Sequence, residues 1–249
     1  MKPLDNKTVR QIRVDCKIMS RLSDTLVTDL ILRLHRPDHI IELGAGAGGW
    51  AATHAQLLKH DPRFTLVENF KWARTEGGYS FEGETWPTTS AELHQIVREK
   101  SAGQIEADVV EHNDPQRIAP ADFIRYDCEL DLGRFIHAAN PDAIIQIDDF
   151  NWNCSVNRIL MVLEMARQGD LFPLWFGEKE SAWCRTEKHR DFMLDVIRDN
   201  ESVLTAHGLK PRFWERGQME HYALQLGFDW TYFSTRERDL SYHKTLETL

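Results

Sequence analysis

The run His39-Ile40-Ile41-Glu42-Leu43-Gly44-Ala45-Gly46-Ala47-Gly48-Gly49-Trp50 constrains this chain more than any other stretch. Two apolar residues lead into a turn with glycine at four of six positions, and the pattern over residues 50–60 predicts a helix. A strand that meets a helix through such a turn lets a ligand lie against bare backbone, because glycine has no Cβ and tolerates positive φ. The turn amides and the helix N-terminus also present positive potential to anionic groups. A nucleotide-like cofactor site is the expectation here.

Around this unit, strand and helix patterns alternate. Apolar spacing from Val9 to Leu34 fits one or two amphipathic helices. These cover a sheet edge, shape a substrate pocket or form a dimer contact. Strands are expected at residues 40–43, 64–68, 107–110, 123–126 and 143–147, and helices at 50–60, 88–100, 132–139, 157–167 and 189–207. Residues 171–176 and 181–185, separated by Gly177-Glu178-Lys179-Glu180, read as a β-hairpin. The aromatic, glycine-bearing segment 69–87 reads as a lid over a ligand or as a packed surface loop. Residues 222–227 form one more candidate strand. The expected fold is α/β: a Rossmann-like open, mostly parallel sheet with helices on both faces and a late antiparallel hairpin. We expect a single domain over residues 1–249. It comprises an N-terminal helical extension (1–36), a cofactor-binding core (37–186) and a C-terminal helical and aromatic extension (187–249).

Composition narrows the function. A formal charge of −9 argues against long-range attraction to nucleic acid, and no apolar run approaches the roughly 20 residues of a membrane span. Residues 1–13 lack the apolar core of a secretory signal. The four cysteines, Cys16, Cys128, Cys154 and Cys184, form no CxxC pair and read as reduced thiols of a cytoplasmic protein. The eleven histidines show no zinc-binding spacing.

Ligands of open parallel sheets bind at the carboxyl ends of the strands. These ends are the Gly44 turn, Glu68, Asn113/Asp114, Asp127 and Asp148/Asp149. Gly44, Gly46 and Gly49 satisfy GxGxxG, and Glu68, ending the second strand, is placed to accept hydrogen bonds from ribose hydroxyls. That pattern alone leaves an NAD(P)-dependent oxidoreductase open. Three carboxylates (Asp127, Asp148, Asp149) converging in one cleft repel unless a cation holds them or some are protonated, and hard oxygen ligands suit Mg²⁺, Mn²⁺ or Ca²⁺. Without metal, Asp127 orients a substrate while Asp148 and Asp149 cap the next helix.

The segment Ile41-Glu42-Leu43-Gly44-Ala45-Gly46-Ala47-Gly48-Gly49 resembles motif I of the class I S-adenosylmethionine-dependent methyltransferases. The resemblance extends through Glu68, Asp114 and Ala121-Asp122-Phe123-Ile124-Arg125-Tyr126-Asp127, covering residues 37–186. It implies that Gly44, Gly46 and Gly48 cradle the methionine portion of S-adenosylmethionine and that Glu42 fixes its amino end. It further puts Glu68 on the ribose, Asn113 and Asp114 near the adenine, and Asp127 beside the cofactor. The segment Ile147-Asp148-Asp149-Phe150-Asn151-Trp152 is similar to the metal-binding segment of cation-dependent O-methyltransferases, with Asp149 in an asparagine slot. By that resemblance Asp127, Asp148 and Asp149 hold a divalent cation such as Mg²⁺, and Asp127 and Asp148 are catalytic. The subfamily's lysine after the fourth strand is replaced here by Cys128-Glu129-Leu130-Asp131. His112, Glu129 and Asp131 are the candidate bases, and Trp152, Trp175 and Trp183 line an acceptor pocket or belong to the core.

The expected activity is methyl transfer to the hydroxyl of a small-molecule acceptor. Open alternatives are N- or C-methylation without metal, the oxidoreductase, and a binder of the same fold without methyl transfer. Oligomeric state stays open, a homo-oligomer included.

Overall fold

The computed structural model describes residues 1–71, 73–75, 80–81, 84–111, 120–128, 132–136, 139–150, 156–177, 179–209 and 212–213. The N-terminal extension is two helices, α1 (Asn6–Cys16) and α2 (Leu22–His35). Asp5 caps α1 by accepting from the Thr8 amide at 2.9 Å. The break follows from Lys17, whose left-handed backbone (φ 53°) turns the chain while the Ile18 amide closes on the Arg13 carbonyl. Val9 of α1 is buried against Leu26 and Leu57.

Beyond them come β1 (His39–Leu43), α3 (Gly49–Leu57) and β2 (Arg63–Glu68). A two-strand ribbon of β3 (Ser80–Phe81) and β4 (Glu84–Thr85) precedes α4 (Ser90–Lys100) and β5 (Asp108–Glu111). Then follow β6 (Ala121–Tyr126), α5 (Leu132–Ile136), β7 (Ala139–Ile147) and α6 (Val156–Gln168). The chain continues through β8 (Phe172–Phe176), β9 (Ser181–Cys184), α7 (Glu187–Asp199), α8 (Glu201–Thr205) and β10 (Arg212–Phe213).

The main sheet has eight strands in the order β10-β8-β9-β7-β6-β1-β2-β5. The five strands from β7 to β5 are parallel, while β9, β8 and β10 run antiparallel to their neighbours. Apolar residues of α2, α3, α4 and α7 cover one face and those of α5 and α6 the other. This is the expected Rossmann-like layering with its late hairpin. Among the described residues, no helix is long and apolar enough to cross a membrane.

Several boundaries differ from expectation, among them the expected helix 189–207, which Asn200 divides into α7 and α8. Helix α3 stops at Leu57, because Leu58 is already extended ahead of the Asp61-Pro62 turn. Strand β7 begins at Ala139 rather than Ala143, and α5 is correspondingly shorter. The ladder absorbs Pro141, which cannot donate to it, in a register shift between the Ala121 and Phe123 pairings. The tail adds β10, paired with β8, where no strand was expected. The candidate strand 222–227 lies outside the described residues.

Strand order reverses between β1 and β6, since the chain builds β1, β2 and β5 to one side and β6 and β7 to the other. The crevice at the carboxyl ends of β1 and β6 is therefore the expected ligand position.

Candidate cofactor and acid-base site

The glycine turn closes directly on the end of β6. Gly44 has φ 81°, and a Cβ there would lie 2.0 Å from the Asp127 carbonyl oxygen, so only glycine fits. The indole of Trp86 lies over Gly46, 3.2 Å from where a Cβ would be. This residue of the 69–87 segment thus covers the turn. Glu68 accepts from the amides of Gly46 (2.7 Å), Asn69 (2.8 Å) and Phe70 (3.2 Å). A carboxylate has about four acceptor sites. Glu68 therefore shapes the turn and retains capacity for roughly one further donor, such as a ribose hydroxyl.

Behind the turn the register aligns Glu42 of β1, Arg125 of β6 and Gln146 of β7 across three neighbouring strands. The Arg125 guanidinium is almost fully buried and serves three carboxylates: Asp148 at 2.7 Å, Glu42 at 3.1 Å and Asp127 at 3.2 Å. Its burial opposes the charge, but Asp148, Asp127 and Glu42 outweigh that cost and raise its pKa further. Burial pushes Glu42 up to about 8 despite Arg125. Burial and the neighbouring Asp148 push Asp127 up to about 7. Asp148 goes the other way, because Arg125 and Lys179 overcome its desolvation and hold it below the usual carboxylate range. Two carboxyl groups side by side are thus pulled apart in acidity, an arrangement that separates a proton acceptor from a fixed anion.

Asp127, Asp148 and Asp149 come together as expected, with one ligand atom from each within 4.8 Å of the others. Asp149 has φ 54°, and its amide donates to Asp148 at 2.9 Å. The set has the spacing of a metal site but meets its charge from within the chain. Lys179 lies 2.8 Å from Asp149 and 3.8 Å from Asp148, and Arg158 lies 3.5 Å from Asp127 and donates to the Asp148 carbonyl at 2.7 Å. An ion could enter this set only in competition with Lys179.

A cavity of about 350 Å³ opens here, walled by Glu42, Gly44, Gly46, Trp50, Arg125 and Asp127 on the sheet side. Residues of α1 and the α1–α2 turn, among them Arg13 and Lys17, close the other side. Of the expected cofactor residues, Glu42, Gly44, Gly46 and Asp127 face this cavity. Gly48 does not: it is the N-cap of α3 and abuts Val97. Glu68, Asp148 and Asp149 stand outside the cavity wall. Asn113, Asp114, the candidate bases His112, Glu129 and Asp131, and Trp152 lie outside the described residues. Trp175 and Trp183 are fully buried in the core, so neither lines an acceptor pocket. Cys16, Cys128 and Cys184 are free thiols.

Sequence reasoning missed Arg125, Arg158, Lys179 and the buried Glu180, which is bonded by Ser20 and Gln146 and pushed up to about 8 by burial. The available signal was a lone arginine inside the apolar strand Phe123-Ile124-Arg125-Tyr126.

No family model and no curated protein matches the sequence. Solved structures do match the fold. The SAH-bound methyltransferase PaMTH1 of Podospora anserina superposes with a TM-score of 0.54 at 12% identity, covering 75% of this chain and 90% of that one. Cofactor-bound Rv0187 from MTB gives 0.52 at 12% identity, covering 73% and 89%. The chain shares the Rossmann-like fold of these structures, one of which is a SAH-bound methyltransferase.

Proposed function

We propose that this chain transfers the methyl group of S-adenosylmethionine to the hydroxyl of a small-molecule acceptor. The observation that carries the reading is the cavity at the β1–β6 switch point, where a glycine turn, the buried Glu42 and a carboxyl group of raised pKa share one wall. Glu42 Oε2 has no hydrogen-bond partner of normal geometry among the described residues, with the side chain 1% exposed and the Ala51 amide the backbone donor that faces the carboxyl group. Burial keeps this carboxyl group protonated near neutral pH until a further cation pairs with it, and the ammonium end of the cofactor's methionine is that cation. Glu68 takes a ribose hydroxyl with its remaining acceptor capacity. Asn113 and Asp114 stay assigned to the adenine by resemblance alone.

The bound cofactor supplies an electrophilic methyl group on a sulfonium, which leaves the protein to align and deprotonate the acceptor. Asp127 is the base in this reading. Its carboxylate would take the hydroxyl proton and so free the acceptor oxygen to receive the methyl group that the cofactor would supply. A pKa near the working pH suits that task. Asp148, fixed by Arg125, keeps Asp127 basic by its own charge. The net charge of −9 supports a small-molecule acceptor over nucleic acid, and the free thiols support a cytoplasmic location.

A second reading retains the divalent cation, favoured by the 4.8 Å convergence of Asp127, Asp148 and Asp149. These three would hold it, and it would lower the pKa of an acceptor hydroxyl. The charge balance with Arg125, Arg158 and Lys179 favours the reading without it.

Calorimetry with S-adenosylmethionine, S-adenosylhomocysteine and NAD tests the cofactor. We expect micromolar binding of the sulfur ligands and none of NAD; the reverse would make the chain an oxidoreductase. A screen of hydroxyl, amine and carbon acceptors with mass-spectrometric detection tests the transfer. Methylated amines only, or cofactor binding with no product from any acceptor class, would replace O-methylation with one of the alternatives.

A further inference from the structure

The N-terminal extension, which lies outside the resemblance to the methyltransferases, contributes two cations to the cavity. Arg13 and Lys17 line its wall together with the glycine turn. The end of α1 sits directly on that turn: a Cβ at Gly49 would meet the Cys16 carbonyl oxygen at 2.9 Å and that of Lys17 at 3.0 Å. The Arg13 guanidinium is fixed by donating through Nε to Thr25 Oγ1 at 3.0 Å and through Nη2 to the Ser20 carbonyl. Its Nη1 makes no hydrogen bond among the described residues, and the Lys17 ammonium has no polar partner there. The same cavity is lined by Glu42, whose Oε2 is buried without a hydrogen-bond partner of normal geometry among the described residues.

One cavity therefore has in its lining a carboxyl group, Glu42, and two cations, Arg13 and Lys17. A ligand with a carboxylate and an ammonium on one carbon, an α-amino acid group, complements both. Arginine already held at two of its nitrogens is pre-organised, so it donates to a carboxylate with little further loss of side-chain freedom.

We infer that Arg13, with Lys17 at the rim, binds the carboxylate of the cofactor's methionine end while Glu42 takes its ammonium, which makes α1 a working part of the cofactor site. The inference rests on the S-adenosylmethionine reading above and adds to it residues that the resemblance does not supply.

The test is calorimetry of the full chain with two ligands, S-adenosylhomocysteine and methylthioadenosine, which lacks the amino-acid end. Arg13→Gln is expected to weaken S-adenosylhomocysteine by about tenfold or more while leaving methylthioadenosine within about twofold. Arg13→Lys should restore part of the loss, and Lys17→Gln, on the surface, should cost about threefold for the same ligand only. Unchanged S-adenosylhomocysteine affinity in Arg13→Gln would overturn the inference and leave the cofactor reading intact. An equal fall for both ligands would overturn it too, by showing a merely structural arginine. If neither ligand binds the unaltered chain, the cofactor reading itself fails and the inference falls with it.

Discussion

Arg125 Nη2 lies 2.7 Å from Asp148 Oδ2, and this nearly buried pair ties the central strands β6 and β7 together beneath the cavity. Through Nη1 the same guanidinium reaches Glu42 on β1 and Asp127 at the end of β6. Replacing it by a neutral side chain of similar length would leave these carboxylates without their shared cation. Arg125→Met should therefore lose about 3–5 kcal/mol of stability, the range for breaking a buried pair from one side. Urea unfolding at pH 7 measures it. A loss under about 1 kcal/mol would mean that the cluster is solvated or protonated and that Arg125 is not its keystone.

Lys179 is the residue through which the metal can be tested. Its ammonium is 2.8 Å from Asp149, one member of the trio that has ion-binding spacing. Full turnover in EDTA is expected for the unaltered chain, together with only millimolar Mn²⁺ binding by calorimetry or electron paramagnetic resonance. Lys179→Met removes the competing charge and should tighten Mn²⁺ by about tenfold or more. Tight Mn²⁺ binding to the unaltered chain, with activity lost on chelation and restored by Mg²⁺, would establish the second reading instead.

The glycine turn offers a contrast between two glycines of similar backbone angle. Gly44 (φ 81°) faces the Asp127 carbonyl at 2.0 Å from a would-be Cβ, whereas Gly103 (φ 75°) has nothing within 4 Å. Alanine at Gly103 meets only backbone strain and should cost about 1–2 kcal/mol. Alanine at Gly44 must also push β1 from β6, so it should cost about 4 kcal/mol or more and abolish S-adenosylhomocysteine binding. Thermal unfolding of the two variants side by side checks the ordering, and equal costs would contradict the close approach.

His54 gives the protein an acid-sensitive core. It is fully buried beside Trp50, ring centroids 4.5 Å apart, and neither ring nitrogen has a hydrogen-bond partner among the described residues. Burial, helped by Arg125, lowers its pKa to about 3. Between the ordinary value of 6.5 and about 3 the unfolded chain binds a proton that the folded chain refuses. Stability from this group is thus intact above pH 6.5 and declines as the pH falls through that window. His54→Leu should flatten the decline without lowering stability at neutral pH. Unfolding free energies from pH 7 to 4 measure both slopes, and parallel slopes would exclude His54 as the source.

The glycine turn, the two flanking strands and the acidic strand ends were legible because each is a local pattern, set by residues a few positions apart. The charge balance was not. Arg125 lies 83 residues from Glu42 and 23 from Asp148, so nothing local announces that the three meet. Lys179 read only as part of a hairpin turn, and it reaches Asp149 because β9 pairs back on β7. The case for a metal drew on repulsion among three aspartates and on the resemblance of residues 147–152, and neither announces that Arg125, Arg158 and Lys179 stand beside them. In the same way the spacing in residues 9–34 shows helices, but not that the end of α1 sits against the glycine turn.

Asp127 as base makes a prediction about rate rather than stability. A base works in its deprotonated form, so kcat should rise with pH through the Asp127 pKa of about 7 and level off above it. The pKa is raised by burial and then by Asp148, whose negative charge opposes a second one beside it. Asp148→Asn removes that charge while keeping the shape, so the rising limb should move to lower pH. Asp127→Asn should lower kcat by about a hundredfold or more and remove the limb altogether. The pH dependence of kcat under saturating acceptor, measured for the three proteins together, separates the roles. A limb that persists in Asp127→Asn would assign the proton to another group, and one that stays in place in Asp148→Asn would break the link between the two carboxylates.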